Sequence, residues 1–288
     1  MKPILSISTV AFDGYPFETA FEEIAALGAK YVEVAFIQGY TDPFAEDYFN
    51  ESNAREITGQ LSRYGLECFA FSSHINLGDD GADAVFEKRM RFARMIGASL
   101  IISNASPVSQ RVTFLRNIRK LALFAEKVEL TIGLENPGDG IPNLLDTGRE
   151  AESLIESIGS DRVRVNYDFG NLVSHKFETV DPQEDYKPAI RVTSQYHLKD
   201  VRRGEQPGWV FTEIGKGSIG YGLILHSLAE LGIPISLEIP LRLHRAPDSR
   251  GVRAAQPVPL NRIRQVLSDS WSFVTKALDA PAPRKSQS

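Results

Sequence analysis

The chain has 288 residues and a formal net charge of −5, from 32 Lys and Arg against 37 Asp and Glu, with one cysteine. One cysteine excludes a disulfide framework and a thiolate metal cage, and a mildly acidic balance argues against a broad nucleic-acid surface, which needs clustered positive charge. A hydrophobic fraction of 42% suits a globular protein that buries its own core, and no apolar run approaches the roughly 18 residues that span a bilayer.

The first strand-like run covers residues 4–12. Asp13-Gly14-Tyr15-Pro16 follows it without a small-residue cleavage pattern, so it reads as a core strand rather than a signal peptide, and the cytoplasm is the expected location. Further strand-like runs lie at 31–36, 66–71, 99–103, 131–135, 163–168, 192–198 and 235–239. Most are continuously apolar, as expected of parallel strands buried on both faces.

Helical patterns alternate with them at 17–27, 53–64, 86–96, 108–128, 150–158, 182–190, 223–231 and 260–278. Asn53 with Glu56 and Thr147 with Glu150 have capping-box spacing, and Asp181-Pro182 supplies a cap followed by a first-turn proline. Glycines at 28, 65, 97, 159 and 232 close helices before the next strand. Eight strand–helix units of about 36 residues predict a single (β/α)8 barrel over residues 1–279. A doubly wound open sheet is disfavoured because no G-x-G-x-x-G follows the first strand. Two segments stand outside the repeat: 242–259, with Arg242, Arg245, Arg250 and Arg253, and a Pro- and Ser-rich tail at 280–288 expected to be disordered.

Active sites of such barrels lie at the C-terminal ends of the strands. Strands five to eight close with Glu135, Asp168, His197 and Glu238, at successive separations of 33, 29 and 41 residues. Four consecutive strands would aim these side chains at one point. Three crowded carboxylates require a compensating cation, and three oxygen ligands with one imidazole favour Mn²⁺ or Mg²⁺, with Co²⁺ or Zn²⁺ also compatible. A single carboxylate in an apolar strand, such as Glu33, is ordinarily solvated or salt-bridged.

Leu134-Glu135-Asn136, Asp168-Phe169-Gly170-Asn171, His197-Leu198-Lys199-Asp200, Gly215-Lys216-Gly217-Ser218-Ile219-Gly220-Tyr221 and Ser236-Leu237-Glu238-Ile239 together resemble the xylose-isomerase-like barrels, in the branch of sugar phosphate isomerases and epimerases. The resemblance implies that Glu135, Asp168, His197 and Glu238 bind one divalent metal, with Mn²⁺ the first choice. It also implies that Glu135 and Glu238 act as acid/base groups on a small sugar-like substrate, and that the chain forms a homo-oligomer. The expected reaction is isomerisation or epimerisation, by proton abstraction and return through a metal-stabilised enediolate. His74, Asn104, Lys199, Arg203 and Trp209 are the candidate substrate contacts. Arg203 has the spacing from His197 that resembles the substrate-binding arginine of ketose 3-epimerases.

Two departures stand out. Ile141 and Asn171 occupy places where those epimerases carry Glu and His, which puts tagatose- or psicose-type 3-epimerase activity in question. The alternatives are a lyase on the same scaffold (a dehydroshikimate-type dehydratase or a 3-keto-glycoside-cleaving enzyme), a non-catalytic sugar-binding barrel, and an AP endonuclease. The last is disfavoured by five histidines in total and by the acidic balance. Neither nucleic acid nor membrane is an expected partner. Gly215-Lys216-Gly217-Ser218 lacks phosphate-loop spacing and reads as a turn, Cys68 reads as core, and His175, His226 and His244 have no partner suggested by spacing.

Overall fold

The computed structural model describes residues 2–280; the rest of the expected tail, 281–288, lies outside them. Seven strands come first: β1 (Leu5–Ser8), β2 (Tyr31–Ala35), β3 (Glu67–Ser72), β4 (Leu100–Asn104), β5 (Thr131–Glu135), β6 (Val163–Asp168) and β7 (Thr193–Leu198). A hairpin follows, β8 (Asp200–Arg203) and β9 (Trp209–Thr212), then β10 (Ile235–Leu237), β11 (Leu243–Arg245) and β12 (Gly251–Arg253). β1 to β7 and β10 pair in parallel and close into an eight-stranded barrel, with β1 bonded to both β2 and β10. The expected (β/α)8 architecture is the one observed.

The strand runs look continuously apolar, yet alternate positions meet different surroundings. Val32, Val34, Phe71, Ile101, Leu134 and Leu198 join the large core under the helices. The other face fills the lumen: Ala70, Leu100 and Ile102 form a small apolar cluster, and Ser6, Glu33, Ser72, Asn166, Gln195 and Ser236 are buried with them. The ladder shifts register beside two of these residues, between Val32 and Glu33 and between Val165 and Asn166. Bulges of this kind re-aim side chains near active sites.

The helices are α1 (Phe17–Ala26), α2 (Glu51–Arg63), α3 (Ala82–Met95), α4 (Arg111–Lys127), α5 (Gly148–Ile158), α6 (Phe169–His175), α7 (Pro182–Asp185), α8 (Tyr221–Leu231) and α9 (Leu260–Asp279). The Thr147–Glu150 capping box forms as expected. α2 starts earlier than expected, because Asn50 rather than Asn53 is the cap, its side chain accepting from Asn53 N. The helix expected over 182–190 breaks into α7 and a 3-10 turn, Lys187–Val192. Pro188 has no N–H to continue the ladder and disfavours helical geometry in the residue before it.

The run expected as one strand over 4–12 ends at Ser8 and tightens into a 3-10 turn, Thr9–Phe12, whose first turn Ser8 caps. The segment 242–259 is also more ordered than its sequence suggests. β11 and β12 pair antiparallel with β9, and β9 with β8, as a four-stranded sheet in the order β12-β11-β9-β8. Both halves of this sheet grow from the C-terminal ends of barrel strands.

Candidate metal centre

Local structure aims each side chain. Asp168 ends β6 and is the N-cap of α6: one carboxylate oxygen accepts Asn171 N at 2.8 Å, and Oδ2 is turned to the lumen and the Lys199 ammonium. α6 comes this close to the end of β7 because residue 170 is glycine; a Cβ there would lie 2.3 Å from Lys199 O. Glu135 closes β5 and is held by two amides, Asn166 Nδ2 at 2.9 Å on Oε2 and Asn171 Nδ2 at 2.7 Å on Oε1. His197 projects from β7 with Nε2 2.9 Å from Glu33 Oε2. Gln195 and Ser72 also donate to Glu33, at 2.8 Å and 3.1 Å.

The result is a convergence of four side chains. One ligand atom from each of Glu135, Asp168, His197 and Glu238 lies within 4.8 Å of the others, and all four residues are buried. His197 Nδ1 stands 3.2 Å from Glu135 Oε2, 3.6 Å from Glu238 Oε2 and 3.7 Å from Asp168 Oδ2. His197 Nδ1 is buried without a hydrogen-bond partner, while Asp168 Oδ2 and Glu238 Oε2 are met by the Lys199 ammonium. Buried polar atoms are normally satisfied; His197 Nδ1, facing three carboxylates with no hydrogen bond of its own, is an atom that a metal ion held by the four side chains would satisfy. The donor set, three carboxylates and an imidazole, fits a hard-to-borderline divalent ion. The group can hold one metal ion.

Electrostatics agree. Burial raises the Glu238 carboxyl to about 7, with Glu135 and Asp168 adding to it against the pull of Lys199 and His197. Burial opposes a charge on His197, but Glu33, Glu135 and Glu238 outweigh it and hold its pKa well above the ordinary value. Glu33 is pulled down to about 2; burial works against this, and the His197 charge overcomes it. The Lys199 ammonium completes the cluster, 2.7 Å from Asp168 Oδ2 and in contact with Glu238 Oε2.

A model of the xylose isomerase-like TIM barrels matches residues 21–256. The chain belongs to that family. Among solved structures, D-psicose 3-epimerase from Clostridium cellulolyticum H10, crystallised with D-tagatose, superposes with a TM-score of 0.73 at 14% identity, covering 97% of this chain and all (100%) of that one. The probable 3-DHS dehydratase AsbF from Bacillus anthracis gives 0.67 at 17% identity, covering 96% and 99%. A xylose isomerase-like TIM barrel protein from Mycobacterium smegmatis in complex with magnesium gives 0.70 at 17%, covering 96% and 97%. Such low identities establish the fold alone. A search of curated proteins finds no match.

Within this xylose isomerase-like barrel, the ligand cluster opens onto a cavity of about 320 Å³, lined by His74, Asn104, Glu135, Lys199 and Glu238 among others. His74 Nδ1 is 3.1 Å from Asn104 Oδ1, and its Nε2, 3.5 Å from Glu135 Oε2, has no partner. Burial lowers the His74 pKa to about 4, so the ring is neutral near pH 7. Three of the expected substrate contacts, His74, Asn104 and Lys199, are thus brought to the cavity.

Arg203 and Trp209 are not. Arg203 lies on β8, exposed and ion-paired with Glu178, with its guanidinium 4.2 Å from the Trp209 ring. Trp209 is buried under it in the antiparallel sheet, against Phe177. The hairpin after β7 directs both residues away from the ligand cluster, a register that spacing from His197 does not reveal.

The sequence reading missed Glu33, treated as an ordinary strand carboxylate although it is fully buried against His197. It also missed Asn166, Gln195, Tyr40 and the special position of Arg245. Period-two alternation within β2, β6 and β7 was the available signal for the first three lumen residues. His175 proves partnered as well, to Asp146 at 2.9 Å and to Gly140 N at 3.1 Å, and it ties down the loop after β5.

Proposed function

We propose that this chain is a divalent-metal-dependent isomerase or epimerase of a sugar or sugar derivative. The observation that carries the reading is the convergence of Glu135, Asp168, His197 and Glu238, all buried, at the floor of a cavity large enough for a monosaccharide. These four residues would hold the metal, with Mn²⁺ the first expectation and Mg²⁺, Co²⁺ or Zn²⁺ compatible donors' choices. When bound, the ion supplies Lewis-acid stabilisation to negative charge developing on adjacent substrate oxygens.

The residues of the chain do the rest. Glu135 and Glu238 come from nonadjacent barrel strands, β5 and the end of β10, so they can flank a substrate. One carboxylate removes the proton from the carbon between carbonyl and hydroxyl; the other returns a proton. Return to the opposite face of the same carbon is epimerisation, and return to the neighbouring carbon is aldose–ketose isomerisation. Neutral His74, with Nε2 unpartnered, can accept a substrate hydroxyl, and the Lys199 ammonium offsets carboxylate charge.

One contact favours a second reading. The Lys199 ammonium beside Glu238 puts a fixed positive charge at the same place, which a lyase would use to stabilise the charge on a departing hydroxyl. Elemental analysis of wild type against His197→Ala, followed by mass spectrometry of products formed in deuterated water from a sugar panel, tests both readings. About one metal per chain, reduced in the variant, and deuterium in a product of unchanged composition supports the isomerase or epimerase. A product lighter by one water supports the lyase. No metal after Mn²⁺ is supplied overturns both.

A further inference from the structure

Four arginines lie in the segment 242–259, and two of them, Arg242 and Arg253, are tied into the fold by ion pairs. Arg242 lies 3.4 Å from Asp13 and donates to the carbonyls of Ala254 and Ala255 at 2.9 and 2.7 Å. Arg253 grips Asp13 through two bonds of 2.6 and 2.8 Å and also pairs with Asp42. Arg250 is exposed and 3.9 Å from Asp248.

Arg245 differs. It is 2% exposed and lines the cavity above the ligand cluster. Among the described residues no carboxylate pairs with it. Its guanidinium donates only to neutral acceptors: Ser249 O at 3.1 Å, Tyr40 Oη at 2.5 Å and, more weakly, Asn171 Oδ1 at 3.4 Å. Its Nε–H is buried with no acceptor at all. A buried guanidinium without a counter-charge is costly, and it persists where something supplies the charge.

The wall is shaped around it. A Cβ on Gly138 would fall 2.6 Å from both Arg245 Nη2 and Asn171 Oδ1, so the glycine leaves room for the guanidinium. The other carboxylate on this side of the cavity, Asp139, is turned to its own loop, accepting Ile141 N at 2.9 Å and standing 3.8 Å from His175.

We infer that Arg245 anchors an anionic group of the substrate, a carboxylate or a phosphate. This deepens the proposed function and rests on its reading of the cavity as the sugar site. The substrate class becomes a sugar acid or sugar phosphate rather than a neutral sugar. A guanidinium provides charge-assisted, directional hydrogen bonds to either oxyanion. The rival role is purely positional: through Asn171, which donates to Glu135, Arg245 would only steady the metal ligands.

Calorimetric binding of three matched open-chain probes separates these roles: D-glucitol, D-gluconate and D-glucitol 6-phosphate, each with Mn²⁺-supplied and with metal-free protein. The expected result is that one or both anions bind wild type at least about tenfold more tightly than glucitol, and that Arg245→Gln loses the preference. Preference for gluconate assigns a carboxylate, and preference for the phosphate a phosphoryl group. Arg245→Lys, which keeps the charge without the Nε–H, should weaken anion binding and serves if Arg245→Gln does not fold. Equal binding of acid and neutral probes to wild type overturns the inference. So does a preference that survives in Arg245→Gln, because the anion is then held by the metal. Metal content, measured in the same samples, reports separately on the proposed function: a chain without metal sinks the isomerase reading but leaves the acid–neutral comparison in metal-free protein to be read by itself.

Discussion

Glu33 and His197 face each other across the barrel lumen, with Nε2 2.9 Å from the carboxylate and both side chains fully buried. The pairing places the Nε2 proton on the Glu33 side and turns Nδ1 toward Glu135, Asp168 and Glu238. A carboxylate behind a ligating imidazole fixes its tautomer and orientation and raises its basicity. Glu33→Gln keeps the shape and removes the charge. It should lower Mn²⁺ affinity by about 10- to 100-fold, measured by calorimetric titration, with the fold intact. Unchanged affinity would show that His197 needs no such partner.

Glu135→Gln and Glu238→Gln should each abolish solvent-deuterium exchange into substrate, a loss of at least about 10²-fold, because general acid–base transfer contributes at least that much. Both positions are buried in the barrel mouth with side chains of equal volume after substitution, so near-ultraviolet circular dichroism should match wild type. Activity retained in both variants would remove the two-carboxylate mechanism.

Rising pH acts with opposite signs on metal binding and on the stability of the metal-free fold at this centre. His197 and Glu238 have raised pKa values in the folded chain, Glu238 at about 7. A raised group favours folding while protonated, so the metal-free protein should lose stability as pH rises through about 7. A metal must displace those same protons, so Mn²⁺ affinity should rise over that interval. Asp168 and Glu33, both depressed, contribute stability at neutral pH that is lost in acid, as pH falls toward their folded values. Thermal melts with and without Mn²⁺ on either side of pH 7 check this; a metal-induced shift that shrinks as pH rises would contradict it.

The convergence of Glu135, Asp168, His197 and Glu238 was legible because the barrel repeat forces strand ends together, and each of the four residues closes a consecutive barrel strand. Glu33 was not, because a lone carboxylate one register from solvent looks the same in sequence whether it meets water or His197. Arg203 and Trp209 were misplaced for a related reason. Their position depends on an antiparallel hairpin, β8 with β9, whose register is set by pairing with β11, far along the chain. Of the four arginines in the segment 242–259, the placement of Asp13 and Asp42 neutralises Arg242 and Arg253, which spacing alone does not reveal.

Lys199 Nζ, 2.7 Å from Asp168 Oδ2 and touching Glu238, puts a fixed positive charge where a divalent cation would also be attracted. Lys199→Met removes that repulsion while keeping the aliphatic stem. Mn²⁺ affinity should increase by about tenfold or more, since even a screened pair of cations a few ångströms apart repels by over 1.4 kcal/mol. Turnover should fall, because the lysine then no longer offsets carboxylate charge beside the substrate. Weaker metal binding in Lys199→Met would mean that the ammonium organises the ligands instead of competing with the ion.

Asp200, two strand positions nearer the mouth than Leu198, turns its carboxylate away from the metal ligands and into the Gly215–Ser218 turn. It accepts four backbone N–H groups, from Val201, Gly215 and Gly217 at 2.9 Å and Ile219 at 3.3 Å. The turn closes on it so tightly that a Cβ at Gly217 would lie 2.1 Å from Asp200 Oδ1. Burial pushes the Asp200 pKa up, and the four donors hold it down against that. Asp200→Asn aims an amide NH₂ at donors that have no other acceptor, which should cost about 1.5–3 kcal/mol of stability, read as a lowered denaturation midpoint. Mn²⁺ affinity should stay within about twofold of wild type, as expected for a carboxylate outside the ligand cluster. A large loss of metal with little loss of stability would instead make Asp200 part of the centre.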